Sequence, residues 1–253
     1  MTDPKTRFSR TVENYRKYRP RYPAGLCDLM AKRVGFGLGS RVAELGAGTG
    51  ILTSDLLDYG AQVIAVEPNE AMRMAAEDAL GERDGFHSVQ GSAESTQLLE
   101  GSVQGVIAAQ AFHWFDPASA RREALRICGE TGWAAIVWNT RRLVGSDFAE
   151  AYESFCRRWG VDYDKVASTY ADPSGLETFF GGKTPQRDLL SNAQALDREG
   201  LRGRLLSCSY IPGPEDPGYK SMLTHIDAIF DAHQDDDEVW LEYDTELFSG
   251  PLS

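Results

Sequence analysis

A short apolar stretch, Val42 to Leu45, runs into Gly46-Ala47-Gly48-Thr49-Gly50, and a helix-forming stretch, Ile51 to Tyr59, follows at once. This strand, glycine loop and helix constrain the fold more than any other feature. Glycines permit a sharp turn and let a ligand approach the backbone. The helix N-terminus behind them directs N–H groups at that ligand. The alternative is a tight turn with no ligand, and glycines at three alternate positions argue against it.

The same alternation continues. Val63 to Val66 reads as a second strand, closed by Glu67-Pro68. Asn69 caps a helix that runs to about Leu80. Phe86 to Gln90 and Val103 to Gln110 are the third and fourth strands, the latter followed by the aromatic residues Phe112, Trp114 and Phe115. Asp116-Pro117 opens a helix reaching about Cys128, and Trp133 to Trp138 is a fifth strand. Short, continuously apolar strands separated by helices imply a parallel sheet covered on both faces, a doubly wound α/β fold.

After Asn139 the pattern changes. Phe148, Tyr152, Phe155 and Trp159 fall near helical spacing, before a stretch containing Asp172-Pro173-Ser174-Gly175 and Gly181-Gly182. The spacing predicts a helical cap inserted between strands. Helices around Asp197–Leu206 and Glu215–His233 and a strand over Val239–Phe248 complete the chain. The organisation expected is an N-terminal lid and first helix (1–36), a cofactor-binding core (37–140), the cap (141–182) and the C-terminal part of the sheet (183–253).

The 253 residues are 42% hydrophobic, enough for one large domain with a sizeable core. No apolar run approaches the roughly 20 residues that span a bilayer. No apolar segment follows the basic start as a secretory signal requires, so a cytoplasmic protein free of membranes is expected. The net charge of -12 argues against nucleic acid as a partner. Basic residues crowd positions 1–22 and acidic ones 231–246, either as two solvated segments or as segments facing each other. Cys27, Cys128, Cys156 and Cys208 form no CxxC pair, and the four histidines form no zinc signature. Reduced thiols and no metal are expected.

Spacing separates the cofactors that such a loop can hold. Dinucleotide sites use GxGxxG, whereas this loop is GxGxG with Ile51 where the third glycine would stand. Glu44 precedes the loop, where a carboxylate repels a pyrophosphate and attracts an ammonium. Glu67, at the end of the second strand, can accept hydrogen bonds from both hydroxyls of a ribose. Gly91-Ser92-Ala93-Glu94 supplies a small-residue loop against which an adenine could lie.

The segments VAELGAGTG, VIAVEPNEAM, GSAE and AQAFHWFD together resemble the class I S-adenosylmethionine-dependent methyltransferases, closest to the small-molecule group around trans-aconitate methyltransferase. Phe8 to Pro23, Tyr210-Ile211-Pro212 and Tyr243-x-Thr245 are similar to the ends of that group's chains. The resemblance implies a mostly parallel seven-stranded sheet whose last strand is antiparallel, with S-adenosyl-L-methionine as cofactor. It implies that Gly46, Ala47, Gly48 and Gly50 hold the methionine part, with Glu44 near its ammonium. Glu67 would hold the ribose, Pro68 and Met72 would border the adenosine, Ala93 and Glu94 would face the adenine, and Gln110 would sit beside the methyl group's exit. Gln104 stands where an Asp is common, and Gly129-Glu130-Thr131-Gly132 replaces a usual Pro-Gly turn.

Methyl transfer from a sulfonium needs alignment and exclusion of water more than acid–base chemistry. A carboxylate acceptor needs no base, and a hydroxyl needs one. His113 is either that base or a ring packed between Phe112 and Trp114. Trp114 reads as pocket wall. Arg141, with Arg142, either clamps an anionic acceptor or is solvated surface. Tyr15, Tyr18, Arg19 and Tyr22 form a lid over cofactor and acceptor, a helix stapled to the core, or both. The function expected is methyl transfer to a small molecule, with a carboxylate among the candidates, by a monomer or homodimer. The alternatives are a methyltransferase acting on protein or nucleic acid, a non-catalytic regulatory protein that binds the cofactor, and a nicotinamide-dependent oxidoreductase.

Overall fold

The computed structural model describes residues 12–164 and 174–253. Phe8 and Asp172-Pro173 lie outside the described residues, as does half of the expected lid. In chain order the elements are α1 (Val12–Tyr18), α2 (Leu26–Val34), β1 (Arg41–Leu45), α3 (Ile51–Asp58), β2 (Gln62–Val66), α4 (Glu70–Leu80), β3 (Phe86–Val89) and β4 (Gly105–Ala109). They continue with a 3-10 turn (Phe112–Trp114), α5 (Pro117–Cys128), β5 (Trp133–Arg141), α6 (Asp147–Trp159), α7 (Ser174–Phe179), β6 (Gln186–Leu196), α8 (Arg198–Leu206), α9 (Tyr219–His233) and β7 (Val239–Pro251).

The seven strands form one sheet in the order β3-β2-β1-β4-β5-β7-β6. The first five pair in parallel, and β7 runs antiparallel to both β5 and β6. The expected fold class is therefore the one observed. Alternation along each strand divides the core between the two faces. Val42, Val63, Ile107 and Val137 pack with Leu26 and Met30 of α2 and Leu52 and Leu56 of α3. Ala43, Ile64, Val106 and Ile136 pack with Ala120, Ala124 and Ile127 of α5 and Phe179 of α7. Caps fix the helix starts: Asn69 accepts from the Met72 N–H, and Asp116 accepts from the Ser119 N–H with Pro117 in the first turn.

The sequence reading missed β6. This edge strand has one exposed face and one half-buried face, and neither is apolar throughout: Asp188, Asn192 and Gln194 share the half-buried face with Leu190. The segment expected to be one helical cap divides instead. Phe148, Tyr152 and Phe155 of α6 build a second core with Leu201 and Leu205 of α8, Met222 and Ile226 of α9, and Leu241 and Tyr243 of β7. Leu176 and Phe179 of α7 cover the sheet beside α5. Nor do the basic and acidic segments face each other in the pairs observed. Lys17 pairs with Glu199 and Arg21 with Asp55, while Asp231, Asp244 and Glu246 pair with Arg198, Arg142 and Arg187.

Candidate functional site

The strand order reverses between β1 and β4, and loops leaving the C-terminal ends of these strands diverge there. A cavity of about 360 Å³ opens at that point. Its walls are Glu44 and Gly46 to Thr49 after β1, Glu67 to Asn69 and Met72 after β2, Ser92 to Glu94 after β3, and Gln110, Trp114 and Phe115 after β4. Tyr15 and Tyr22 close one side.

Two glycines of the loop are needed for shape. Gly46 has φ 71°, and a Cβ there would lie 2.6 Å from the Ala111 Cβ. Gly50 has φ 82°, and its Cβ would lie 2.6 Å from Leu80 Cδ1. Both left-handed conformations suit glycine, and neither position leaves room for a side chain. Gly50 does not line the cavity; it sets the start of α3 against α4.

Glu67 is 8% exposed. Its Oε2 accepts from the Gly48 N–H at 2.9 Å and its Oε1 from the Asn69 N–H at 2.8 Å. Each oxygen keeps lone-pair capacity for a further donor, which fits a ribose diol. Burial raises this carboxyl above its ordinary range, and the two N–H donors partly offset that. Glu44 is 2% exposed and accepts from Thr53 Oγ1 at 2.5 Å. Burial pushes it up to about 8, against the smaller opposing effect of Thr53. An ammonium group beside it would restore its charge. Thr49 Oγ1 is buried without a hydrogen-bond partner at the same loop. A buried carboxylate lacking a cation, an orphaned hydroxyl and a second carboxylate with spare acceptor sites fit the S-adenosylmethionine that the resemblance implies. Glu94 also borders the cavity, and its Oε1 accepts from the Asp116 N–H at 2.9 Å, fixing this loop to α5.

A smaller annex of about 60 Å³ adjoins the cavity and shares Tyr15, Tyr22, Ile51, Gln110 and Trp114 with it. Its remaining walls are Arg19, Pro20, Asn139, Arg204 and Tyr243. Gln110 stands at the junction with φ 56°, unusual for a residue with a side chain. Its Nε2 donates to the Asn139 carbonyl at 2.9 Å. Asn139 in turn donates to the Arg21 carbonyl at 3.2 Å and accepts from Thr245 Oγ1 at 2.5 Å. The junction is thus held by β5, β7 and the N-terminal strap together.

The residues expected at the acceptor divide. Tyr15, Tyr22, Arg19 and Trp114 line the annex. Tyr18 does not: its hydroxyl donates to Glu199 Oε1 at 2.7 Å. Arg141 does not either. β5 runs further than expected, and Arg141, two residues past Asn139, reaches Glu153 of α6 at 2.6 Å and Tyr163 Oη at 3.0 Å. Arg142 pairs with Asp244. His113 lines neither cavity; its ring lies 4.8 Å from that of Trp114, and burial lowers it to about 4. It is neutral at pH 7, and its geometry is that of a packed ring. The sequence reading missed Arg204 and Tyr243 as site residues. Tyr243 had a signal in Tyr243-x-Thr245, whereas Arg204 stood among several arginines of one helix with nothing to single it out.

The model of the family described as a methyltransferase domain matches residues 43–136, from β1 to β5. An uncharacterized methyltransferase of Mycobacterium tuberculosis is 38% identical over 134 residues, covering 53% of this chain and 52% of that protein. The chain thus spans about half the length of this mycobacterial relative. An uncharacterized methyltransferase-like protein of Schizosaccharomyces pombe is 31% identical over 252 residues, covering 96% of this chain and 94% of that protein. A solved structure of a candidate type II methyltransferase from Anaeromyxobacter dehalogenans shares the fold, with a TM-score of 0.69 at 20% identity over 93% of this chain and 98% of that one. None of these singles out the trans-aconitate methyltransferase-like group. The relative that matches end to end and the family model across the glycine loop agree: the chain belongs to the class I S-adenosylmethionine-dependent methyltransferases.

Proposed function

We propose that this chain transfers a methyl group to a small molecule bearing a carboxylate, as the trans-aconitate methyltransferase-like resemblance suggested. The observation that carries this reading is the annex. Two guanidinium groups, Arg19 and Arg204, line it, and no acidic side chain among the described residues does. Arg204 is 6% exposed and forms no carboxylate ion pair among the described residues. A buried guanidinium with no carboxylate partner is suited to receive an anionic one. Bound S-adenosylmethionine supplies an activated methyl on a sulfonium. The chain's own residues bind, orient and exclude water. Gln110 and Trp114 form the boundary between the two chambers, and Tyr15 and Tyr22 shut both from solvent on one side. A carboxylate nucleophile needs no proton removed, which agrees with the neutral His113 outside both chambers. A volume of about 60 Å³ suits a small acceptor rather than a protein or nucleic acid. Four free, buried cysteines support a reducing compartment, the cytoplasm.

Release of S-adenosylhomocysteine over a panel of carboxylic acids and their neutral amides tests this. Acids should be substrates and amides should not. Arg204→Gln should raise the acceptor KM by about ten- to a hundredfold, as expected for losing a charged hydrogen bond worth about 1.5–3 kcal/mol. Turnover on neutral compounds alone would overturn the reading.

A further inference from the structure

Arg204 has an unusual partner. Its Nε donates to Tyr243 Oη at 3.3 Å, and its Nη1 donates to Cys208 Sγ at 3.0 Å. The same sulfur lies 3.6 Å from the Arg204 carbonyl oxygen, to which a protonated thiol donates. One contact suits a thiolate and the other a thiol. Both side chains are almost wholly buried, Arg204 at 6% and Cys208 at 2% exposed, so a charge on either needs a local counterion.

The surroundings favour titration of this one group. Arg19 faces it from the N-terminal strap, Arg204 from α8, Tyr210 from the following loop, and Cys156 from α6. Tyr243 of β7 accepts from the guanidinium, and Tyr152 of α6 is near enough to act on its charge. Burial holds the Tyr152 and Tyr210 phenols well above their ordinary value and pushes Cys156 up to about 12. For Cys208, burial also acts upward, but Arg204, Arg19 and the hydrogen bonds from Tyr210 and Arg204 outweigh it and hold the thiol at about 7.

We infer that Cys208 is a positioning residue for the methyl acceptor: its thiolate is the resident counterion of Arg204, and it takes up one proton when an acceptor anion replaces it at that guanidinium. The inference rests on the proposed reading that the annex takes an anion. The balance is simple. An anion enters, one solvent proton forms an S–H bond, no other bond changes and no electron moves. The new thiol turns to the Arg204 carbonyl, and the charge of the annex is unchanged. Acceptor affinity should then fall about tenfold per pH unit above the thiol's midpoint, because the anion must displace a thiolate. Turnover at saturating acceptor should not follow that slope.

The full-length chain can be titrated with acetate as the probe and acetamide as its neutral isostere. Thiolate absorbance should show one group ionising near neutrality, absent in Cys208→Ser and driven out of the neutral range in Arg204→Gln. Saturating acetate should raise that midpoint by about one unit or more, and acetamide should leave it in place. Calorimetry of the unaltered protein, in buffers of different ionisation enthalpy, should count one proton taken up per acetate above neutrality. No thiolate near neutrality, a step that persists in Cys208→Ser, or acetate binding without proton uptake would overturn the inference. The titration needs no turnover, so failure of the methyl-transfer reading would show only in S-adenosylhomocysteine release.

Discussion

Glu44 sits at the bottom of the glycine loop with a hydroxyl rather than a cation for company. Its carboxyl is raised by burial to about 8 in the folded chain, against about 4.5 when exposed. The folded state therefore holds a proton that the unfolded state has released. Its contribution to stability is full below the unfolded value and is lost as pH rises through the folded one. Glu44→Gln should accordingly stabilise the ligand-free protein by at least about 1 kcal/mol above pH 8, read from denaturant unfolding. The same change should weaken S-adenosylmethionine binding, because the ammonium loses its partner. A variant destabilised at high pH would contradict this account. The loop illustrates a trade in which the residue that most suits the ligand is the one the empty protein tolerates least.

At the scale of elements, the strap formed by α1 and the chain up to Pro23 supplies one wall of the annex. It is tied down at several points. Tyr18 and Lys17 reach Glu199, Gln194 Nε2 donates to the Tyr18 carbonyl at 3.0 Å, and Asn192 Nδ2 donates to the Arg21 carbonyl at 2.7 Å. The Tyr18 ring lies over Gly203 of α8, where a Cβ would come within 2.2 Å of it. Gly203→Ala should therefore lift α1 without harming α8, since Ala is the better helix former by about 1 kcal/mol. Hydrogen exchange over Val12–Tyr18 should quicken and acceptor KM should rise, while the global melting temperature holds. Unchanged exchange would show that the ring does not anchor the strap. β5 carries the complementary lesson. Ending it at Trp138 made Arg141 look like a mouth residue, whereas continuing it to Arg141 carries that side chain past the annex to α6.

For the molecule as a whole, the residues around the glycine loop were readable and those of the annex were not. Glu44, the glycine loop and Glu67 lie in one local strand–loop–helix–strand run, so spacing alone placed them. The annex draws Arg19 from the N-terminal strap, Asn139 from β5, Arg204 from α8 and Tyr243 from β7. Only the pairing of β7 with β5 and β6 brings these together. No local pattern encodes that meeting, and β6, half exposed along its length, gave no signal of its own. Binding confined to the folded state should stabilise the entire chain. At a hundredfold excess over its dissociation constant, S-adenosylhomocysteine should add about 2.7 kcal/mol, or roughly 5–10 °C in melting temperature. NAD at equal concentration should add nothing, and a larger shift with NAD would undo the cofactor assignment.

The strand order has a further consequence for how the chain reaches this state. β6 pairs with β7 alone, and β7 is made after it, with two helices between. Until β7 arrives, β6 has no neighbour in the sheet. The β1–β5 half, built from sequential parallel crossovers, has no such wait. A nascent chain should thus pass through a stage in which the β1–β5 half is assembled while an unpaired strand trails behind it. The scatter of apolar residues along β6, with no run longer than two, hid it from the sequence reading, and the same scatter leaves that waiting edge without a continuous apolar strip.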